Sequence, residues 1–415
     1  MNHHRVAITG MGVVSALGNS LDTYWDNLVN GRSGIRKISL FDASDLPCQI
    51  AGEIPDFDPL QYLDRKTARR VPRFTQIAVA AARHAVQDSK LPVPFQNPER
   101  AGVYIGTALA GVDQIAEADQ IIRTKGFRGL TPHLLPSGIP NMPAFQIAQE
   151  YQCLGPNNTT ATACAAGTQA IGEAAEWIRR GITDVVIAGG AEAIVLELVV
   201  AAFSAMRALP VNYNDRPEAA SRPFDIAREG FILSEGAAFV VLENLDHALA
   251  RQAHIYAEVV GFASSSDGYD MIALHPDGLG PARAIRWALQ EAGIRPDQVD
   301  YINAHGTSTP LNDKTETLAI KQVFGDSAYK VAISSTKSML GHAMGASGSL
   351  EAIACALAIQ HQMIPPTINY EQPDAECDLN YTPNNFAKRE IRVTLSNSFG
   401  LGGQNACLVL KQFNK

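Results

Sequence analysis

Cys164 stands between an extended Thr/Ala run and an Ala/Gly helix start, in Thr160-Ala-Thr-Ala-Cys164-Ala-Ala-Gly167. Neighbours this small permit a sharp strand–turn–helix elbow that projects the thiol into a cavity. The positive end of the following helix would then lower its pKa. A lone cysteine is also a common packed apolar residue, so Cys164 by itself reads either way. Two histidine-bearing turns bear on the choice. Asn303-Ala-His305-Gly-Thr307-Ser-Thr309-Pro310 follows an apolar strand and puts His305 at its carboxyl end, where α/β sheets carry their sites. Ser334-Ser-Thr-Lys337-Ser-Met-Leu-Gly341-His342 follows another strand and precedes an Ala/Gly-rich helix. Near the carboxyl end, Asn397-Ser-Phe399-Gly-Leu401-Gly-Gly403-Gln-Asn405 frees the backbone on both sides of Leu401. Such a loop suits an oxyanion hole or a gate, or is simply the entry to a last hairpin.

Cys164, His305 and His342 could form a metal set, but no close-spaced ligand pair anchors it. Covalent acyl chemistry fits the same three residues better. A thiolate attacks a thioester, and neutral imidazole N–H groups polarise a carbonyl oxygen. No G-x-S-x-G stands in the chain to support a serine hydrolase. Gly10-Met-Gly12-Val-Val-Ser15 lacks the third glycine and the later acidic residue of a dinucleotide fingerprint, and reads as a tight strand-to-helix turn.

These turns hang on alternating elements. Strands are expected at 6–9, 102–105, 184–188, 238–242, 257–261, 300–303, 331–334, 392–396 and 406–410, as continuous apolar runs suited to sheets buried on both faces. Helices are expected at 76–89, 168–180, 281–292, 315–323 and 350–360. The alternation means α/β layers. Helices beginning near Ala165 and Ala343 are so rich in small residues that both should be buried on all sides. That hints at five layers and two related halves, with the Ser264–Gly280 loop as their seam.

The chain has 415 residues, 46% hydrophobic and only 18% charged, with a net charge of −8. So little charge implies a large core or a large subunit interface and excludes disorder. The acidic balance argues against nucleic acid as a partner. No apolar run is long enough for a membrane span, and the opening residues carry no targeting pattern. Six scattered cysteines without a C-x-x-C pair fit free thiols in a cytoplasmic protein.

Taken together, Thr-Ala-Cys164-Ala, Asn-Ala-His305-Gly-Thr-Ser-Thr-Pro, Ser-Thr-Lys337-Ser-x-x-Gly-His342 and Ser-Asn-Ser-Phe-Gly-x-Gly-Gly resemble the β-ketoacyl-acyl carrier protein synthases. The closest resemblance is to the type II condensing enzymes of fatty acid synthesis, over essentially the whole chain. The resemblance implies an α/β, thiolase-like five-layer αβαβα fold built from two similar halves, 1–254 with the nucleophile and 255–415 with the histidines and the glycine loop. It also implies a homodimer and a decarboxylative Claisen condensation of acyl and malonyl thioesters. Cys164 would take the acyl chain, and His305 and His342 would bind the malonyl carbonyl. Lys337 would hold their environment, linked to Glu351. The N–H groups of Cys164 and Leu401 would form the oxyanion hole, with Phe399 at the gate. Thr307 and Thr309 match threonines that bind the phosphopantetheine arm, which arrives on the acyl carrier protein, so no cofactor is expected. Leu109, Val199, Phe203 and Leu401 match the acyl pocket, and Lys66, Arg69, Arg70 and Arg207 match carrier-docking positions. Arg65 and Arg73 extend that basic cluster. Some members hold a monovalent cation near residues matching Asn303, Glu351 and Asn397.

Departures from the family pattern concern the pocket. Leu401 replaces a typical gating phenylalanine, Gln404 a common threonine, and Leu196–Ala202 is bulkier than the usual glycine-rich stretch. A type II polyketide or specialised-lipid ketosynthase is the alternative. A non-catalytic chain-length-factor-like partner is disfavoured by the intact Cys164, because such partners typically lack it. A thiolase would need a second catalytic cysteine in a late loop, whereas Cys407 lies in the expected last strand.

Overall fold

A computed structural model describes residues 4–414. Residues 1–3, part of the opening stretch read above, and residue 415 lie outside it. The central sheet contains β1 (Val6–Ser15), β2 (Ala101–Gly106), β3 (Asn157–Thr160), β4 (Val185–Glu192), β5 (Gly236–Asn244), β6 (Ala257–Ser266), β7 (Tyr301–Asn303), β8 (Ala332–Ser334), β9 (Val393–Gly400) and β10 (Gln404–Lys411). Their order is β8-β7-β9-β10-β6-β1-β5-β4-β2-β3. At the middle of this row β1 and β6 pair only through Ala7 with Glu258 and Ile8 with Ala257.

Divided there, the two groups of five strands have one plan. In each, the strands run first-fifth-fourth-second-third in chain order. The first and fifth, and the fifth and fourth, are antiparallel. The other two neighbouring pairs are parallel. Identical order and sense in both groups is a structural repeat that residue identities do not display.

Helices complete five layers. Arg73–Ser89 (α1) packs on β1 and β5, and Leu279–Ala292 (α3) packs on β6 and β10 with Pro310–Phe324 (α4) beside it. Between the two groups of strands lie Ala166–Arg179 (α2) and Ser347–His361 (α5), which touch each other and strands of both groups. Every residue of α5 from Ser347 to Ile359 is buried, while α2 keeps a half-buried stripe at Gln169, Glu173 and Glu176. Small residues are required where these two helices meet. A Cβ added at Gly348 would stand 2.0 Å from Thr168 Oγ1, and one at Gly167 would stand 2.7 Å from the Gly345 carbonyl oxygen. The thiolase-like αβαβα expectation is therefore met.

Each strand expected from the apolar runs is present, several of them longer. The sequence did not suggest β3, because Asn157-Asn-Thr-Thr160 is polar and sits at the sheet edge. Helices at Leu21–Val29, Val112–Lys125, Met142–Tyr151 and Glu197–Ala205 were not anticipated. Two expectations are corrected. Gly10 and Gly12 lie inside β1, not in a strand-to-helix turn. They are glycines because α1 crosses so closely that Cβ atoms there would lie 2.3 and 2.1 Å from the carbonyl oxygens of Ala85 and Ala81. Nor is Ser264–Gly280 the seam, since it begins within β6, already in the second group of strands. Instead it covers the cavity described next.

Candidate active site

Cys164 sits on the elbow that its neighbours permit. After β3 the chain makes a single 3-10 turn, Ala163–Ala165, and α2 begins at Ala166. Ala163 takes a left-handed φ of 49°. That conformation costs roughly 1–2 kcal/mol in a residue with a Cβ, and a methyl group is the smallest side chain to bear it. On the other side, a Cβ at Gly400 of β9 would lie 3.0 Å from the Cys164 nitrogen. The glycine loop is thus pressed against the nucleophile, and the nearby backbone N–H groups of Leu401 and Cys164 favour the thiolate.

Burial reverses one expectation. Cys164 is only 5% exposed, and loss of solvent pushes its thiol up to about 11, against the opposing pull of Lys337 and the two N–H groups. The net shift is upward, opposite to that argued from the helix end alone. In the resting site the sulfur carries its proton at neutral pH.

Both expected histidines converge on this sulfur. His342 Nε2 is 3.0 Å from Cys164 Sγ, and His342 Nδ1 is 2.8 Å from Ser347 Oγ. The His305 and His342 rings are 5.4 Å apart at 82°. Burial first, then the Lys337 ammonium, holds both imidazoles well below their usual pKa; for His305 the His342 ring adds to this. They are neutral at pH 7. The three candidate ligand atoms lie within 4.8 Å of one another. However, 3.0 Å is a hydrogen-bond separation, shorter than the roughly 3.5 Å kept by sulfur and nitrogen ligands of tetrahedral zinc. The metal reading does not fit.

Lys337 and Glu351 form an ion pair, 2% and 1% exposed at the side chain. Burial pushes the Glu351 carboxyl up to about 7, with Lys337 opposing. Two further carboxylates escaped the sequence reading. Glu316 of α4 accepts from the backbone N–H groups of His305 (2.9 Å) and Gly306 (2.7 Å) and from Asn397 Nδ2 (3.0 Å). Glu192, at the end of β4, accepts from the N–H groups of Ala110 and Gly345, both at 3.1 Å. Each carboxylate ties one site-bearing turn to a second segment. In the sequence they are single acids in ordinary runs, with no spacing to single them out.

Among the described residues, the Asn303 side chain and Oδ1 of Asn397 are buried without partners, as is Oε2 of Glu351. Asn303 pairs with Ser396 across β7 and β9, so strand alternation turns Asn303 and Asn397 to opposite faces. These side chains do not make one cation cage.

A cavity of about 620 Å³ opens onto Cys164, His305 and His342. Phe203, Phe399, Leu401, Thr307, Thr309 and Arg207 also line it. The two threonine hydroxyls are 3.0 Å apart. Val199 lies in the apolar cluster behind, together with Cys164, Phe203 and Met344. Met344 was not foreseen; its sulfur is 3.6 Å from that of Cys164. Leu109 is 41% exposed and is not among the residues lining this cavity. Its backbone N–H is instead bound by Glu192. Lys66, Arg69, Arg70 and Arg207 are exposed. Arg73 is spent on two 2.6 Å hydrogen bonds to buried Glu235, so it leaves the basic cluster.

Comparison with known proteins agrees with this geometry. Residues 3–248 match the model of the beta-ketoacyl synthase N-terminal domain, and residues 256–371 match that of the C-terminal domain. The chain is 48% identical over 409 residues to the 3-oxoacyl-[acyl-carrier-protein] synthase 2 of Synechocystis sp., covering 99% of this chain and 98% of that protein. With the protein of the same name from Coxiella burnetii the identity is 47% over 412 residues, covering 99% of each. Among solved structures, the ishigamide ketosynthase/chain length factor superposes with a TM-score of 0.93 at 38% identity, covering 99% of this chain and 100% of that one. A type II PKS acyl-carrier protein in complex with its ketosynthase, AntDE:AntF, gives 0.91 at 35%, with the same coverage. With both domain models matched in order and the nucleophile, histidines and lysine converging on one cavity, the chain belongs to the beta-ketoacyl synthase family.

Proposed function

We propose that this protein is a condensing acyltransferase, a 3-oxoacyl-acyl carrier protein synthase that extends an acyl chain by two carbons in fatty acid synthesis. Cys164 attacks the thioester carbonyl of an acyl-carrier protein. The N–H groups of Cys164 and Leu401 hold the resulting oxyanion. As it collapses, the C–S bond to pantetheine breaks and the pantetheine sulfur departs as its thiol with the proton that Cys164 gives up. Malonyl-carrier protein then enters with its arm along Thr307 and Thr309. His305 and His342 donate N–H groups to its thioester carbonyl oxygen. Carbon dioxide leaves with cleavage of the carboxyl C–C bond, and the electron pair passes into the enolate they stabilise. The enolate carbon attacks the acyl-Cys164 carbonyl, the Cys164 thiolate leaves, and the β-ketoacyl product remains on the carrier.

The observation that carries this reading is the pairing of a buried thiol with two neutral imidazoles beside a buried ammonium. A neutral imidazole can donate to an enolate oxygen without having to give up a charge-stabilising proton, and burial, reinforced by Lys337, keeps both rings neutral. Thioesters are already activated and decarboxylation supplies the driving force, so the residues present suffice. The test is a reconstituted assay with acyl- and malonyl-carrier protein, which should release one carbon dioxide per β-ketoacyl product. A product formed from acetyl-CoA pairs without a malonyl donor would indicate a thiolase instead.

The partners follow the same reading. Lys66, Arg69, Arg70 and Arg207 offer positive charge to an acidic carrier protein. Residues 1–254 and 255–415 act as two thiolase-like halves around one site. A homodimer is supported by β3, an open sheet edge, and by exposed Ile115, Ile122, Phe127 and Leu135 nearby in sequence. Six free, buried cysteines suit the cytoplasm, and no helix among the described residues is long and apolar enough to cross a membrane.

A polyketide or specialised-lipid role is favoured by one feature. Leu401, 36% exposed, leaves the cavity mouth with a smaller gate than a phenylalanine would. Intact-mass measurement of Cys164 acylation across short, long, aromatic and unsaturated acyl-carrier proteins separates the two. Preference for straight saturated chains supports fatty acid synthesis.

A further inference from the structure

Condensation as described needs His342 to hold its proton on Nε2, the nitrogen that faces Cys164. Ser347 is the first residue of α5, and its hydroxyl oxygen is 2.8 Å from His342 Nδ1. Ser347 and His342 are both buried, 3% and 2% exposed. Among the described residues that hydroxyl has His342 as its hydrogen-bond partner and no other.

Two arrangements of protons are open to this pair, and they are not equivalent. If Nδ1–H donated to Ser347, the serine hydroxyl proton would be left without an acceptor in a buried site. If the Ser347 hydroxyl donates to Nδ1, its proton is used and only oxygen lone pairs stay unfilled. Buried donors without an acceptor are much rarer than acceptors with an unfilled lone pair. The second arrangement also places the ring proton on Nε2, 3.0 Å from Cys164 Sγ.

We infer that Ser347 is a positioning residue that selects the Nε2–H tautomer of His342, so that an N–H and not a lone pair faces Cys164 and the substrate carbonyl. Two consequences follow. His342 is a hydrogen-bond donor to sulfur and to the enolate oxygen, and it is not the base that removes the thiol proton. His305 differs, because among the described residues its buried Nδ1 has no partner and no neighbour assigns its tautomer.

The kinetic part of this inference rests on the condensation reading, whereas the tautomer rests on the hydrogen bond alone. The experiment therefore measures both. Long-range proton–nitrogen correlation NMR on protein labelled with 15N-histidine, with His342→Gln used for assignment, reads the protonated nitrogen directly. The expected result is Nε2–H in the wild type and in Ser347→Thr, and a mixed or Nδ1–H population in Ser347→Ala. Malonyl-carrier protein decarboxylation by Ser347→Ala should fall about tenfold in kcat with KM unchanged, the scale of one lost hydrogen bond at a reacting group. Ser347→Thr should restore it. A wild-type proton on Nδ1 overturns the inference, as does a Ser347→Ala variant with unchanged tautomer and unchanged kcat. If the tautomer is as stated but no variant decarboxylates a malonyl thioester, the condensation reading fails and the assignment to Ser347 survives.

Discussion

His342 Nε2 lies 3.0 Å from Cys164 Sγ, although 178 residues separate them in the chain. The contact joins the start of α2 in one sheet group to the turn after β8 in the other. Each group alone holds half of the chemistry, and packing the two Ala/Gly-rich helices against each other closes the site.

Buried as it is, Cys164 should behave as a thiol with a high pKa. Only the thiolate is alkylated, so iodoacetamide modification of Cys164 should rise about tenfold per pH unit between pH 7 and pH 10. The direction follows from burial, which raises the pKa to about 11. A rate that levels off below pH 8 would show that the donors around the sulfur outweigh its desolvation.

Neutral buried histidines carry an acid penalty. An unfolded chain protonates His305 and His342 near pH 6.5, while the folded site holds both well below that value. Stability is therefore whole above pH 6.5 and is lost as pH falls below it, by about 1.4 kcal/mol per histidine per pH unit. Urea midpoints of wild type and of His305→Asn/His342→Asn, compared from pH 7 to 5, should converge as pH falls. Parallel curves would contradict neutral histidines.

Lys337→Met leaves the Glu351 carboxyl in the core with no counter-charge. Breaking one side of a buried pair costs about 3–5 kcal/mol. Replacing both, as Lys337→Met/Glu351→Leu, should recover much of that stability in urea titrations without recovering decarboxylation. Strictly additive losses in the two single variants and the double would mean that the pair is not coupled.

Reversing charge at Lys66, Arg69 and Arg70 should raise KM for acyl-carrier protein about tenfold or more at low salt. KM for an acyl-pantetheine thioester should not change. High salt should bring wild type towards the variant, because screening weakens exposed charge pairs. An equal effect on both substrates would place the cluster's influence in the folded site instead of in docking.

Much of this was legible before the fold was seen, and the reasons are local. Apolar runs mark buried strands wherever they lie, so β7 and β8 were found despite spanning three residues each. Cys164, His305 and His342 stood out because each follows a strand within a run that holds small residues. β3 escaped because an edge strand does not need an apolar sequence. Glu192 and Glu316 escaped because their importance lies in backbone donors far along the chain, at Gly345 for one and His305 for the other. The direction of the Cys164 shift was missed because a helix end can be read from sequence, whereas the depth of burial cannot.

The central claim is that the acyl chain is carried on Cys164. Incubation with acyl-carrier protein, followed by intact-mass analysis, peptide mapping and a condensation assay with malonyl-carrier protein, tests it most directly. The account predicts one acyl group per chain, located on Cys164, and neither acylation nor β-ketoacyl product in Cys164→Ala. An acyl group mapped to another residue, or condensation that persists in Cys164→Ala, would contradict it.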